Sequence, residues 1–172
     1  MSVLRNFLVL FFLLTNVANA NFTIKSGETV NLTSNEVLVI DGDLTIESGG
    51  VLNGVSSSEI QVSGSWKNSG SYNHGESSVY FTGSGVSQIT GSNSFYNLIS
   101  DFSRADTSSG KTLTFESGSS QSVVNHLQIK GATSDNLVIL STVPGTTAYM
   151  DLNGATFDVS NVSVKDNTAR NV

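Results

Sequence analysis

The sequence predicts an all-β protein, a right-handed parallel β-helix (β-solenoid) of about six to seven short coils. Three observations predict it: short bursts of alternating apolar and polar residues, a recurring unit that ends in glycine, and an abundance of small polar residues. A β-sandwich of roughly seven to nine strands is the alternative, because it suits the same chain length.

Each alternating segment is about three to five residues long. A period of two indicates β-strands, with one face buried and the other exposed. Helix formers are scarce, which excludes a long helical protein. The predicted strands lie at 38–40, 44–46, 60–62, 79–81, 113–115, 127–129, 137–139, 150–152, 157–159 and 162–164.

The recurring unit has the pattern apolar-x-apolar-x-Gly. Its copies begin at Leu38, Ile60 and Val79, and later at Leu127 and Met150. A period of roughly 20 residues is typical of solenoids, in which each coil lays its strands on the coil before. At ~4.8 Å per coil, six or seven coils make a rod roughly 30 Å long.

Composition and charge limit the function classes. Ser, Thr, Asn and Gly fill 78 of the 172 positions, which suits the outer face and the corners of a solenoid. The 8 basic and 14 acidic residues give a net charge of -6, and removal of Arg5 with the leader makes it -7. We therefore expect no nucleic-acid partner, since no basic stripe exists to neutralise phosphates. Cysteine is absent, and nothing in the sequence requires a cofactor.

Residues 1–20 have the pattern of a secretory signal peptide. Arg5 precedes an apolar run at 7–14, and Ala18 and Ala20 form a small-residue cleavage site. The run is too short to span a membrane as a helix, and no later window approaches that length. The predicted domains are therefore a signal peptide at 1–20 and a β-solenoid at 21–172, with no membrane-spanning segment in the mature chain. We expect the protein to be secreted, extracellular or at the cell surface.

The segment 64–98 carries a motif. It reads GSWKNSGSYNHGESSVYFTGSGVSQITGSNSFYNL. The motif positions are Gly64, Trp66, Asn68, Gly70, Tyr72, Gly75, Val79, Phe81, Gly83, Gln88, Phe95, Asn97 and Leu98. The segment resembles repeats of secreted and cell-surface bacterial proteins with parallel β-helix regions, such as adhesins and autotransporter passengers. It departs from that pattern where Ile89 directly follows Gln88.

The resemblance implies a non-enzymatic structural or adhesive role. We expect the partners to be other copies of the chain, added head to tail at an open last coil, or other surface proteins or glycans. Residues 21–35 are predicted to form an N-terminal cap or an exchangeable strand. The alternative is a carbohydrate-binding or polysaccharide-cleaving β-helix domain, a glycoside hydrolase or lyase, for which Asp151 and Asp158 supply carboxylates.

A charged patch marks the first candidate binding site. Asp101, Arg104 and Asp106 lie in a non-repeating segment, 99–112, which we expect to leave the rod as a loop. Loops on a rigid scaffold are where binding residues concentrate.

Aromatic residues suggest a second site. Trp66, Tyr72, Tyr80 and Tyr96 can form a strip on which sugar rings stack. Trp66 aligns with the core position Leu44, however, which favours a buried aromatic stack.

Asp41 and Asp43 flank Gly42 and form a candidate calcium site. Calcium needs six to eight oxygen ligands, and only Glu47 lies close by in sequence. A structural turn is therefore the favoured interpretation. No catalytic residue and no other metal site is predicted.

Overall fold

The computed structural model describes residues 21–103 and 110–171, and within these ranges every regular element is a β-strand. None of the described residues forms a helix that is long and apolar enough to cross a membrane. The strands are β1 Phe22–Ile24, β2 Thr29–Asn31, β3 Val37–Ile40, β4 Leu44–Ile46, β5 Val51–Asn53, β6 Glu59–Val62, β7 Trp66–Asn68, β8 Ser71–Asn73, β9 Ser78–Phe81, β10 Val86–Thr90, β11 Asn93–Asp101, β12 Thr112–Phe115, β13 Ser120–Lys130, β14 Leu137–Ser141, β15 Ala148–Asp151, β16 Thr156–Ser160, β17 Val162–Lys165 and β18 Asn167–Arg170.

The strands form three parallel sheets. The first sheet has the order β1-β4-β7-β10-β12-β14-β17, the second β2-β5-β8, and the third β3-β6-β9-β11-β13-β15-β18, with β16 also beside β13. Each strand pairs in parallel with a strand of the next coil, so the chain is a β-solenoid of about six turns. This confirms the predicted all-β solenoid over the sandwich, whose sheets are antiparallel.

The register confirms the early repeat and corrects the late one. Leu38 pairs with Ile60, and Ile60 pairs with Val79, as the recurring unit predicts. Leu127, however, pairs with Phe157 and not with Met150. The late coil is longer than the local motif suggests, because β15 and β16 pair with the two halves of β13 in turn.

The longer coils contain the two longest strands, β11 and β13. β11 and β13 each run through a corner as one long strand, and the register shifts between Phe95 and Asn97. There Tyr96 lies opposite two residues of β13, Val124 and Asn125. The bulge bends the strands. One long strand can therefore occupy the place of the two shorter strands that are found in each of the first three coils.

Inward side chains stack into one continuous apolar column. The largest fully buried side chains are Trp66, Phe81, Phe95, Phe115, Ile24, Leu44, Ile46, Leu52, Ile60, Ile89, Leu98 and Leu113. Glycine allows close contact between coils at the corners: a Cβ at Gly70 would overlap the carbonyl oxygens of Glu47 and Gly50. The corner of one coil therefore rests directly on the backbone of the coil before.

The structure describes parts of the expected loop, 99–112, and all of the expected N-terminal segment, 21–35. β11 continues to Asp101 and pairs with β13, and β12 starts at Thr112, so residues 99–101 and 112 belong to the rod and not to a loop over 99–112. Residues 21–35 contain β1 and β2, which pair with β4 and β5 as the first coil. The predicted signal peptide, 1–20, lies outside the described residues.

Candidate functional site

A groove lies on the outer face of the third sheet. It has a volume of about 350 Å³ and is lined by Tyr80, Phe81, Thr82, Ile99, Asp101, Phe102 and Gln128. Three strands build its floor, because Ile99 of β11 pairs with Tyr80 of β9 on one side and with Gln128 of β13 on the other. We call these seven residues the third-sheet groove.

Asp101 is the charged group of the groove, at the end of β11. Its carboxylate accepts hydrogen bonds from the Ser103 backbone amide at 2.9 Å, the Ser103 hydroxyl at 2.6 Å and Gln128 Nε2 at 2.5 Å. Burial raises the pKa of Asp101, but these hydrogen bonds and the charge of Lys130 outweigh burial and lower it. The carboxylate is therefore ionised and held in one orientation at neutral pH.

The rest of the groove is largely apolar. Tyr80 and Ile99 are half-buried at outward positions, and Phe102 follows directly after β11. Burial raises the pKa of Tyr80, helped by the negative charge of Glu59 and opposed by a hydrogen bond with Ser78. The arrangement offers one carboxylate and one amide beside aromatic and aliphatic surface.

Lys111, directly before β12, is buried close to the groove residue Phe102. Its side chain is buried, with 5% of its surface exposed, and Nζ donates to the Gly83 carbonyl at 2.7 Å and the Ser87 hydroxyl at 2.6 Å. Nζ also lies 5.5 Å from the centroid of the Phe102 ring. Burial lowers the pKa of Lys111 to about 8. Sequence reasoning missed this residue, because a lysine among Ser, Gly and Thr reads as solvent-exposed.

The predicted aromatic strip is divided between core and surface. Trp66 is fully buried and packs edge-on against Tyr72 and Phe95, with ring centroids 4.8 and 5.4 Å away. A buried ring cannot stack on a sugar, so the favoured expectation of an aromatic core stack holds for Trp66. Tyr72 packs in the same stack, and burial raises its pKa to about 12. Tyr96 instead stacks on His74 at 5.8 Å.

A buried polar network crosses three coils beside that stack. Trp66 Nε1 donates to Asn93 Oδ1 at 2.9 Å, and Asn93 Nδ2 donates to Gln121 Oε1 at 2.7 Å. Gln121 Nε2 in turn donates to the Gly91 carbonyl at 2.7 Å. Each buried group thus has a partner, which avoids the cost of an unsatisfied donor or acceptor. Neither Asn93 nor Gln121 was a predicted core residue.

The candidate calcium residues, Asp41 and Asp43, form hydrogen bonds between neighbouring coils. Asp43 accepts hydrogen bonds from Lys67 Nζ at 2.7 Å and from the Ser65 amide at 2.8 Å, and the hydrogen bond from Lys67 is the largest influence in lowering its pKa. Asp41 accepts from the Ser63 hydroxyl at 3.0 Å. Among the described residues no three metal-ligating side chains cluster. This arrangement favours the structural turn.

Of the other predicted charged residues, Arg104 and Asp106 lie outside the described residues. Asp158 forms a salt bridge with Lys130, and Asp151 accepts a hydrogen bond from Ser120. These carboxylates, which the hydrolase alternative needs, are therefore engaged with neighbours on β13.

The last coil of the described chain leaves core positions uncovered. Phe157 and Val159 stack on the buried Leu127 and Ile129, yet they are 55% and 41% exposed. Val164 continues the column of the first sheet and is 53% exposed. β16, β17 and β18 each have one edge without a strand partner among the described residues.

Comparison with protein-family models, with curated proteins and with solved structures found no match.

Proposed function

We propose that the chain is a secreted, non-enzymatic structural rod that acts outside the cell and assembles end to end into a filament. The observation that carries this proposal is the apolar column that is left uncovered at the last coil of the described residues, formed by Phe157, Val159 and Val164. Complete burial of a side chain of this size is worth about 1.5–3 kcal/mol, so covering three half-exposed ones is worth about 3 kcal/mol.

The two ends suit each other in strand geometry. Among the described residues, β1 and β3 are the first strands of the first and third sheets, and β17 and β18 are the last. Because all pairs are parallel, a second copy moved along the axis meets these edges with its strands running in the same direction. A contact of this head-to-tail type does not close on itself and continues as a filament.

The two ends also differ in charge. In residues 21–43 one positive side chain, Lys25, is outnumbered by four negative ones, for a net charge of -3; the negative side chains are Glu28, Glu36, Asp41 and Asp43. Residues 156–171, which contain β16, β17 and β18, carry Lys165 and Arg170 against Asp158 and Asp166, for a net charge of zero. Two first coils repel each other because both are negative, so charge disfavours contact between first coils and does not oppose head-to-tail approach.

Two features of the sequence support a location outside the cell. The signal-peptide pattern at 1–20 supports export, and the motif in 64–98 resembles surface-displayed bacterial β-helix repeats. An outer surface built of small polar side chains, with 13% charged residues, suits a stiff element exposed to varied salt.

The test is the mass of residues 21–172 as a function of concentration. We expect light scattering to show assemblies that grow with concentration, and electron microscopy to show filaments. Val164→Lys should keep the chain monomeric, because it places a charge in the contact. The matched control is Val86→Lys, at an outward position that is 67% exposed, and it should assemble like the wild type.

Two results would refute the proposal. One is a wild-type chain that stays monomeric at every concentration. The other is an equal loss of assembly in Val164→Lys and Val86→Lys, which would show that assembly does not use the end of the column.

A further inference from the structure

We propose that the third-sheet groove binds a neutral glycan chain, which lies along the rod axis across β9, β11 and β13. The proposal is independent of end-to-end assembly, since the groove is on the side of the middle coils. It assigns an adhesive ligand to a surface on which Asp101 and Tyr80 were the two residues considered for binding in the sequence.

The groove combines the two surfaces that sugars require. Ile99 and Phe102 present apolar area, and the half-buried Tyr80 presents part of an aromatic ring. Within the described residues, the side-chain oxygens of Thr82 and Gln128 make no hydrogen bond, so they remain available to sugar hydroxyls. A mostly apolar concavity with a few fixed polar groups is the usual form of a small-molecule site.

The polar groups are held in place before any ligand binds. Gln128 donates its Nε2 hydrogen to Asp101, which turns its Oε1 acceptor outward from that pair. Ser103 holds Asp101 from the other side with two hydrogen bonds. A site that is already ordered loses little side-chain entropy on binding, which favours affinity.

The direction of the glycan follows from the stacking of the coils. Gln61, Tyr80, Ile99, Gln128 and Asp158 succeed one another in register along the third sheet. Their spacing is one coil, ~4.8 Å. This is close to the length that one pyranose residue adds to an extended glycan chain, so consecutive sugars can meet equivalent positions on consecutive coils.

Charge selects a neutral ligand. Asp101 carries a negative charge in the groove, and Glu59 is close enough to influence Tyr80. Lys130, the cation that lowers the pKa of Asp101, also forms a salt bridge with Asp158. The whole chain has a net charge of -6. An anionic polysaccharide would therefore be repelled at this face.

An extended peptide fits the groove less well than a glycan. Peptides that bind sheets add to a strand edge, where backbone donors and acceptors are free. The strands under the groove are paired on both sides, β11 with β9 and with β13, so their backbone groups are used. Binding here depends on outward side chains alone.

The experiment measures binding of residues 21–172 to defined hexasaccharides by calorimetry and by NMR titration. The panel holds neutral chains of glucose, mannose, galactose, xylose and N-acetylglucosamine, an anionic chain of galacturonate, and an unstructured peptide of similar length. We expect at least one neutral chain to bind at millimolar concentration or below, and no binding of galacturonate or the peptide.

Three variants connect binding to the groove. Tyr80→Ala and Gln128→Ala should each weaken binding about tenfold, which corresponds to about 1.4 kcal/mol. Gln88→Ala, a half-buried outward glutamine on the first sheet, should bind like the wild type. Circular dichroism and the assembly assay should be unchanged in all three, so that failure here is distinct from failure of the filament proposal.

The proposal is overturned if no neutral hexasaccharide binds at millimolar concentration. It is also overturned if galacturonate or the peptide binds better than every neutral chain. Equal affinity of Tyr80→Ala, Gln128→Ala and the wild type would place the glycan elsewhere and would refute the assignment of the groove.

Discussion

Lys111 makes the stability of the solenoid depend on pH in an unusual direction. Its pKa is about 8 in the folded chain, against 10.5 for an ordinary lysine. Between these values the unfolded chain binds more protons than the folded chain, so the free energy of unfolding increases as the pH rises. The physical cause is burial, since Nζ has neutral hydrogen-bond acceptors, the Gly83 carbonyl and the Ser87 hydroxyl.

The size of the effect follows from the two pKa values. Integrating the proton difference from pH 7 to pH 10 gives a gain of roughly 2.5 kcal/mol in the free energy of unfolding. Two tyrosines oppose this near the upper limit. Burial raises the pKa of Tyr72 to about 12 and also raises that of Tyr80, so the folded state is favoured less once unfolded tyrosines ionise near pH 10. The loss from the buried Tyr72 is about 0.4 kcal/mol at pH 10.

The assay is urea unfolding of residues 21–172 at intervals from pH 7 to pH 10, followed by fluorescence of Trp66. The wild type should become more stable across this window, and Lys111→Met should not. Both proteins keep the same tyrosines, so subtracting one profile from the other removes their contribution. Lys165→Met, at an exposed lysine, is the control and should follow the wild type. A wild-type profile with the same slope as Lys111→Met would refute the assignment of a buried, protonated Lys111.

Three further predictions concern the packing of the coils. Gly70→Ala should cost about 3 kcal/mol in a urea titration, because its Cβ meets two backbone oxygens, whereas Gly118→Ala, with φ of +74° and open space, should cost about 1 kcal/mol; equal losses would contradict the close contact. Asn93→Ala should cost about 2 kcal/mol and alter the Trp66 emission, because it leaves Trp66 Nε1 and Gln121 Oε1 unpartnered in the core; an unchanged spectrum would count against the network. Asp43 has a lowered pKa, so it stabilises the fold above its unfolded pKa of 3.8 and loses that effect as the pH falls through its folded value. Asp43→Asn should therefore show a weaker loss of thermal stability below pH 4 than the wild type.

The strands that sequence reasoning found share one property. Alternation around Leu44, Ile60 and Val79 was visible because each apolar residue is a core position of a short strand, and those strands lie in the sheets as expected. The strands missing from the predicted set are β1, β2, β5, β7, β8, β10, β11 and β18. Of these, β2, β5 and β8 have one inward residue each, too few to show a period, and Ala169 is the one apolar residue of β18.

The late repeat failed because its two copies lie at different places in the coil. Leu127 lies in the second half of β13, whereas Met150 lies in β15, which pairs with the first half of β13. The motif records which residues face inward, and it does not record how many residues a coil spends on its corners. Register depends on that number, so Leu127 pairs with Phe157.

The candidate site was predictable only in part for the same reason. Asp101 stood out as a charge in a polar region and Tyr80 as an aromatic residue, whereas Thr82 and Gln128 carry no signal of their own in the sequence. These residues meet at the groove because parallel pairing brings β9, β11 and β13 side by side.

Local patterns therefore specified the class of fold, the inward residues of the early coils and the glycine corners, since each of these depends on residues close together in the chain. The lengths of the late coils, the burial of Lys111, the network around Asn93 and the groove depend on side chains that lie a full coil apart in sequence. Such contacts form only when coils stack, because stacking turns a distance along the chain into a single spacing of ~4.8 Å.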